Sequence, residues 1–128
     1  MDKEIKILVV DDEADFRQLM TVWLESKGYY VISASNGKDA IQLVKKESPN
    51  IIFLDLRMPI MDGNETVQKI RRFNKNVPII IISAYVGDLK IKEIKRPDIS
   101  GIFYKNDDFE KGLALLESVL RTHKKLKK

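Results

Sequence analysis

The stretch Ile51-Ile52-Phe53-Leu54-Asp55-Leu56-Arg57-Met58-Pro59-Ile60-Met61-Asp62-Gly63 decides the fold. It opens on four consecutive apolar residues and then a carboxylate. A strand with one wet face alternates polar and apolar residues, so an unbroken apolar run predicts a strand covered on both faces. Asp62 and Glu65 follow with the spacing of a capping box, which predicts a helix carrying Val67, Ile70 and Arg71. Strand then helix is one βα unit, and the same rhythm runs outward in both directions. Upstream, Ile5–Val10 is strand-length and β-branched, and Phe16, Leu19, Met20, Trp23 and Leu24 recur on one helical face until Gly28. Tyr30–Ser33 predicts a weaker strand, and Asn36 caps a helix with Ala40, Ile41 and Val44 that Pro49 closes. Downstream, Pro78 opens the run Ile79–Ile82. Asp88 to Arg96 predicts a short fourth helix ended by Pro97. Ile102–Tyr104 is a fifth strand. Asp107 and Glu110 are spaced as a capping box for a last helix with Phe109, Leu113, Leu116 and Leu120. Five βα units in succession predict an α/β, doubly wound fold, a parallel sheet between two helical layers.

The 128 residues suit one domain. We expect it to span 1–121, with a basic tail at 122–128. There is no cysteine, so disulfides, thiolate metal sites and cysteine nucleophiles are excluded. The longest nearly apolar run, Val77 to Val86, is shorter than the roughly 20 residues that cross a bilayer, so no membrane role is expected. The N-terminus lacks the pattern of a signal peptide, and a cytoplasmic location is expected. The net charge is +4, from 23 basic and 19 acidic residues. Five of those positive charges lie between Arg121 and Lys128, and the rest of the chain is close to neutral. A tail of that kind gives weak, salt-sensitive attraction to nucleic acid, but no base-reading helix or stacking platform accompanies it. Nucleic acid is therefore not the expected partner.

In a doubly wound sheet, ligands bind outside the carboxyl ends of the strands. Asp11, Asp12 and Glu13 follow the first strand, Asp55 the third, Ser83 the fourth and Lys105 the fifth. Taken singly, Asp12 is as well explained as a helix cap. Asp55 suits a turn, Ser83 a buried hydroxyl and Lys105 a solvated charge. Together, three carboxylates repel one another, and a hard divalent cation such as Mg²⁺ is their natural partner. The lysine adds a point charge suited to a phosphoryl group. A carboxylate so placed can act as a nucleophile on phosphorus and form an aspartyl phosphate.

Leu8-Val9-Val10-Asp11-Asp12-Glu13, then Asp55 to Gly63, then Ile82-Ser83-Ala84, then Lys105 resemble the receiver domain of two-component response regulators. The likeness runs from about Lys3 to Leu120. It implies a flavodoxin-like three-layer sandwich with sheet order 2-1-3-4-5. It implies that Asp55 takes a phosphoryl group from a phosphohistidine on a sensor histidine kinase or phosphotransfer protein. Mg²⁺ would be held by Asp12, Asp55 and the backbone carbonyl of Arg57, with Asp11 acting through water. Ser83 and Lys105 would each contact a phosphoryl oxygen, and the small Ala84 would leave room for the donor. Such a module is a signalling phosphoacceptor that assists its own phosphorylation and dephosphorylation, not an enzyme on a separate substrate. Its output partner would meet the 88–120 face.

Three positions depart from the family pattern. Asn106 stands where a proline with a cis bond is usual after the lysine. Ile102 stands where an aromatic switch residue is usual, with Tyr85 a substitute. The predicted fourth helix is rich in lysine, which points to an acidic partner or to a solvated face. These departures sustain an alternative function, a receiver-like interaction module with altered or lost switching. The side chain of Arg57 would lie near the phosphoryl group or point outward to a partner. An aspartyl phosphatase of another fold needs two aspartates one residue apart after the first strand, and Asp11 and Asp12 are adjacent. A flavodoxin-type cofactor site needs a Ser/Thr/Gly-rich loop that the first strand lacks.

Overall fold

The computed structural model describes residues 4–127. Among these, β1 (Lys6–Val10), β2 (Tyr30–Ala34), β3 (Ile51–Asp55), β4 (Ile79–Ser83) and β5 (Gly101–Tyr104) form one sheet. All four neighbouring pairs are parallel, and the strand order is β2-β1-β3-β4-β5. The α-helices are α1 (Ala14–Ser26), α2 (Gly37–Glu47), α3 (Gly63–Arg71) and α4 (Phe109–Lys127). The expected class and order are thus present.

Strand alternation divides the core in two. Leu8, Val10, Ile52, Leu54, Ile79 and Ile81 pack on one face with Ala40 and Val44 of α2 and with Val67 and Ile70 of α3. Ile7, Val9, Ile51, Phe53, Ile80 and Ile82 pack on the other with Met20 and Leu24 of α1 and Leu116 of α4. Both sets are buried, which is why β3 and β4 read as unbroken apolar runs. Trp23 is half-buried and stacks on Phe109 with ring centroids 4.6 Å apart. Leu19, expected on the inward stripe of α1, is instead exposed. The stripe is satisfied by Met20 and Leu24, one turn apart on the buried side.

Two expectations need correction. The predicted fourth helix is not α-helical. Residues Leu89–Glu93 and Arg96–Asp98 form two short 3₁₀ turns. The bonds Ile91 N–H to Asp88 O and Ile94 N–H to Ile91 O have the tighter i to i+3 step. Pro97 disfavours α geometry at Arg96, and three-residue turns keep Ile91 and Ile94 on the core side. The β4–β5 crossover is therefore a pair of turns, not a helix. The cap of the last helix is also one residue later than expected. Asp108, not Asp107, accepts the Lys111 N–H at 3.2 Å.

Candidate functional site

Alternation also aims the site. Asp55 continues the Phe53 face, Asp11 the Val9 face and Lys105 the Phe103 face, all three belonging to the same side of the sheet. The chain beyond β1 stays in the ladder through Asp11 N–H to Ala34 O, and that beyond β5 through Lys105 N–H to Ser83 O. Both side chains thus leave from rigid backbone at the carboxyl rim.

Asp11 and Asp55 are buried and Asp12 is exposed, and one carboxylate oxygen of each lies within 4.8 Å of the others. Asp11 Oδ1 accepts the Glu13 N–H at 2.8 Å. Its other oxygen is also buried and is ion-paired with Lys105. Helix α1 starts after Glu13 with no side-chain cap, so the capping reading of Asp12 does not hold. One exposed and two buried carboxylates converging in this way are a donor set that fits a hard divalent cation. Lys105 Nζ lies 3.0 Å from Asp11 Oδ2 and 3.7 Å from Asp55 Oδ2, and pairs with Glu13. It also stands 4.9 Å from the centre of the Phe16 ring. Burial pulls its pKa down, but these acids outweigh it and the net direction is up.

Burial and the neighbouring Asp11 push the Asp55 carboxyl up to about 8, with Lys105 pulling the other way. Its Oδ1 faces the Arg57 N–H at 3.4 Å. The cleft over it, about 270 Å³, is lined by Asp12, Glu13, Asp55, Arg57, Ala84, Asp88 and Lys105. That is below the size usual for organic ligands and suits a small group such as phosphoryl.

The other expected residues are placed as follows. Ala84 is exposed on the rim. Ser83 is buried, and its hydroxyl donates to Tyr85 O at 3.0 Å rather than to Asp55. Tyr85 is exposed. Ile102 packs into the α2–α3 face of the core. Among the described residues no peptide is cis, so the Lys105–Asn106 bond is trans. The chain turns there through Asp107 N–H to Tyr104 O, which replaces the proline-shaped turn.

Two features were not foreseen. Arg57 forks onto Asp88, with Nε to Oδ2 at 2.8 Å and Nη2 to Oδ1 at 2.7 Å. This hydrogen-bonded pairing lowers the Asp88 carboxyl and raises the Arg57 guanidinium. Asp88 had only the signal of a helix start, and a partner 31 residues away leaves no local trace. Gly63 donates to Leu56 O at 2.8 Å. A Cβ there would stand 2.6 Å from Asp55 O and 2.8 Å from Leu56 Cα. Its place at the start of α3 was readable, but the contact was not.

Comparison with known proteins agrees with this geometry. A family described as Response regulator receiver domain matches residues 7–117. Sporulation initiation phosphotransferase F of Bacillus subtilis is 38% identical over 84 residues, 66% of this chain and 67% of that protein. A probable transcriptional regulator, ycf27, of Guillardia theta is 36% identical over 109 residues, 85% of this chain but 40% of its own length. The ycf27 protein of Porphyridium aerugineum is likewise matched over 34% of its length, so the chain spans well under half of these longer relatives. The chemotaxis protein CheY4 of Vibrio cholerae superposes with a TM-score of 0.82 at 30% identity, covering 91% of this chain and 99% of that one.

Proposed function

The chain belongs to the response regulator receiver family of two-component signalling, and on that premise we propose that Asp55 is its phosphoacceptor. The observation that carries this is the meeting of Asp12, Asp55 and Lys105 in one small cleft, with Asp11 buried against them. Receiver domains are phosphoacceptor signalling modules, and they act with histidine kinases or phosphotransfer proteins. In this chain an Asp55 oxygen attacks the phosphorus of a phosphohistidine. The new O–P bond forms as the N–P bond breaks, and the imidazole nitrogen keeps the electron pair. No general base is needed, because with the cation bound the carboxylate would be ionised and is itself the nucleophile. Lys105 favours that ionised form and offsets charge on the transferred group. The Ser83 hydroxyl exchanges its Tyr85 acceptor for a phosphoryl oxygen. Asp12, Asp55 and the Arg57 carbonyl would hold Mg²⁺, with Asp11 behind them. The ion supplies Lewis-acid stabilisation of phosphoryl oxygens and lets the acids stand together. The 88–120 face is the surface offered to an output partner. Among the described residues no helix is long and apolar enough to cross a membrane. A cytoplasmic setting is part of this proposal.

The test is incubation with Mg²⁺ and acetyl phosphate, read by intact mass. A gain of one phosphoryl group is expected in the wild type and none in Asp55→Asn. No gain in the wild type, or one that survives the substitution, overturns the assignment.

A further inference from the structure

The cleft over Asp55 has a second wall whose chemistry the transfer does not use. Arg57 and Asp88 both line it. The Asp88 side chain is 1% exposed and that of Arg57 is 51% exposed. Asp88 accepts two hydrogen bonds from the guanidinium and a third from the Lys90 N–H at 3.0 Å. A planar guanidinium forked onto a buried carboxylate is fixed in direction as well as in charge. The backbone of the same arginine faces Asp55 Oδ1. The charge of a residue two places from Asp55 is thus held on the β4–β5 crossover, with Asp88 as its carboxylate partner.

That placement matters because transfer to and from Asp55 is in line. A donor or a water approaches phosphorus from the side opposite the Asp55 oxygen, the open side of the cleft. A free guanidinium is a natural two-pronged partner for phosphoryl oxygens. Lying over them, it would obstruct that open side. The transition state is loose, so pairing to the oxygens gains little strength as the bond breaks. The free arginine would therefore protect the phosphoryl group more than it would promote its transfer.

We propose that Asp88 is a positioning residue that holds the Arg57 guanidinium aside and keeps the in-line approach to Asp55 open, for loading and for loss alike. This rests on Asp55 being the phosphoacceptor. The experiment measures two rates by intact mass, loading from acetyl phosphate with Mg²⁺ and loss after the donor is removed. The proteins are the wild type, Asp88→Asn, Arg57→Gln and the double variant. Asp88→Asn is expected to slow both rates by about tenfold, the size of one charge-assisted hydrogen bond. The double variant is expected to match Arg57→Gln in both rates, whatever those rates are, because Asp88 then has no guanidinium to hold. A purely structural pair would make the two single variants alike. If Asp88→Asn does not fold, Asp88→Ser, which keeps a cap for the Lys90 N–H, takes its place. Unchanged rates in the Asp88 variant, or equal slowing with and without the arginine, overturn the proposal. A wild type that does not load overturns the phosphoacceptor reading, and this one with it. A wild type that loads while the variants disobey overturns this one alone.

Discussion

The carboxyl of Asp55 lies almost out of water, with Asp11 beside it and the Lys105 ammonium 3.7 Å away. Burial and Asp11 raise it from 3.8 to about 8 in the cation-free protein. Between those two pH values the folded chain binds more protons than the unfolded one, so this group makes stability fall as pH rises. Its penalty is absent below about pH 4 and complete above about pH 8. Asp55→Asn should therefore stabilise the cation-free protein by about 1–3 kcal/mol at pH 9, the scale of a poorly satisfied buried charge. The gain should shrink steadily toward pH 5. Urea unfolding at the two pH values checks this, and a gain independent of pH would locate its source elsewhere.

At the scale of elements, the site depends on how closely α3 begins against the end of β3. Asp62 caps α3 by accepting the Glu65 N–H at 2.9 Å, and Gly63 then lies against the backbone of Asp55 and Leu56. Backbone cannot yield as a flexible side chain can. Gly63→Ala should cost about 1–3 kcal/mol by overpacking. It should also slow phosphoryl loading, because relief of the clash moves Asp55. A melting shift with normal loading would show that α3 moves instead of β3. The β4–β5 crossover is the other element with consequences. Its first 3₁₀ turn is joined to the β3–α3 loop by Arg57–Asp88 and by Lys90 to Asp62 at 3.1 Å. Two ion pairs stitch together what a longer helix would have held by packing.

For the whole molecule, the decisive balance is between the repulsion of clustered acids and the binding of a cation by them. A ligand that binds only the folded state stabilises it by mass action. At ten times its dissociation constant, Mg²⁺ should add about 1.4 kcal/mol, and a domain of this size should melt about 4–7 °C higher. Thermal melts with and without Mg²⁺ check this. Asp12→Asn should remove most of the shift, since Asp12 is the exposed member of the cluster. A shift of equal size in that variant would place the cation elsewhere. The net charge of +4 is no guide to this behaviour, because the acids concerned converge on one rim.

Unbroken apolar runs at Ile51–Leu54 and Ile79–Ile82 by themselves determined a sheet covered on both faces. The βα rhythm made it parallel, and the residue after each strand then marked Asp11, Asp55, Ser83 and Lys105 as rim residues. These signals are local, since burial and periodicity act over a few residues and leave their trace there. Only the tertiary structure decided that the crossover is two 3₁₀ turns, because Pro97 and the inward pull of Ile91 and Ile94 outweigh a weak helical preference. Only it decided that Ser83 turns to Tyr85, that Lys105 sits among three acids, and that Arg57 forks onto Asp88. The Lys105 and Arg57 contacts depend on which atoms the loops bring within 3 or 4 Å, and their partners, 31 to 94 places away, carry no mark of one another in the chain.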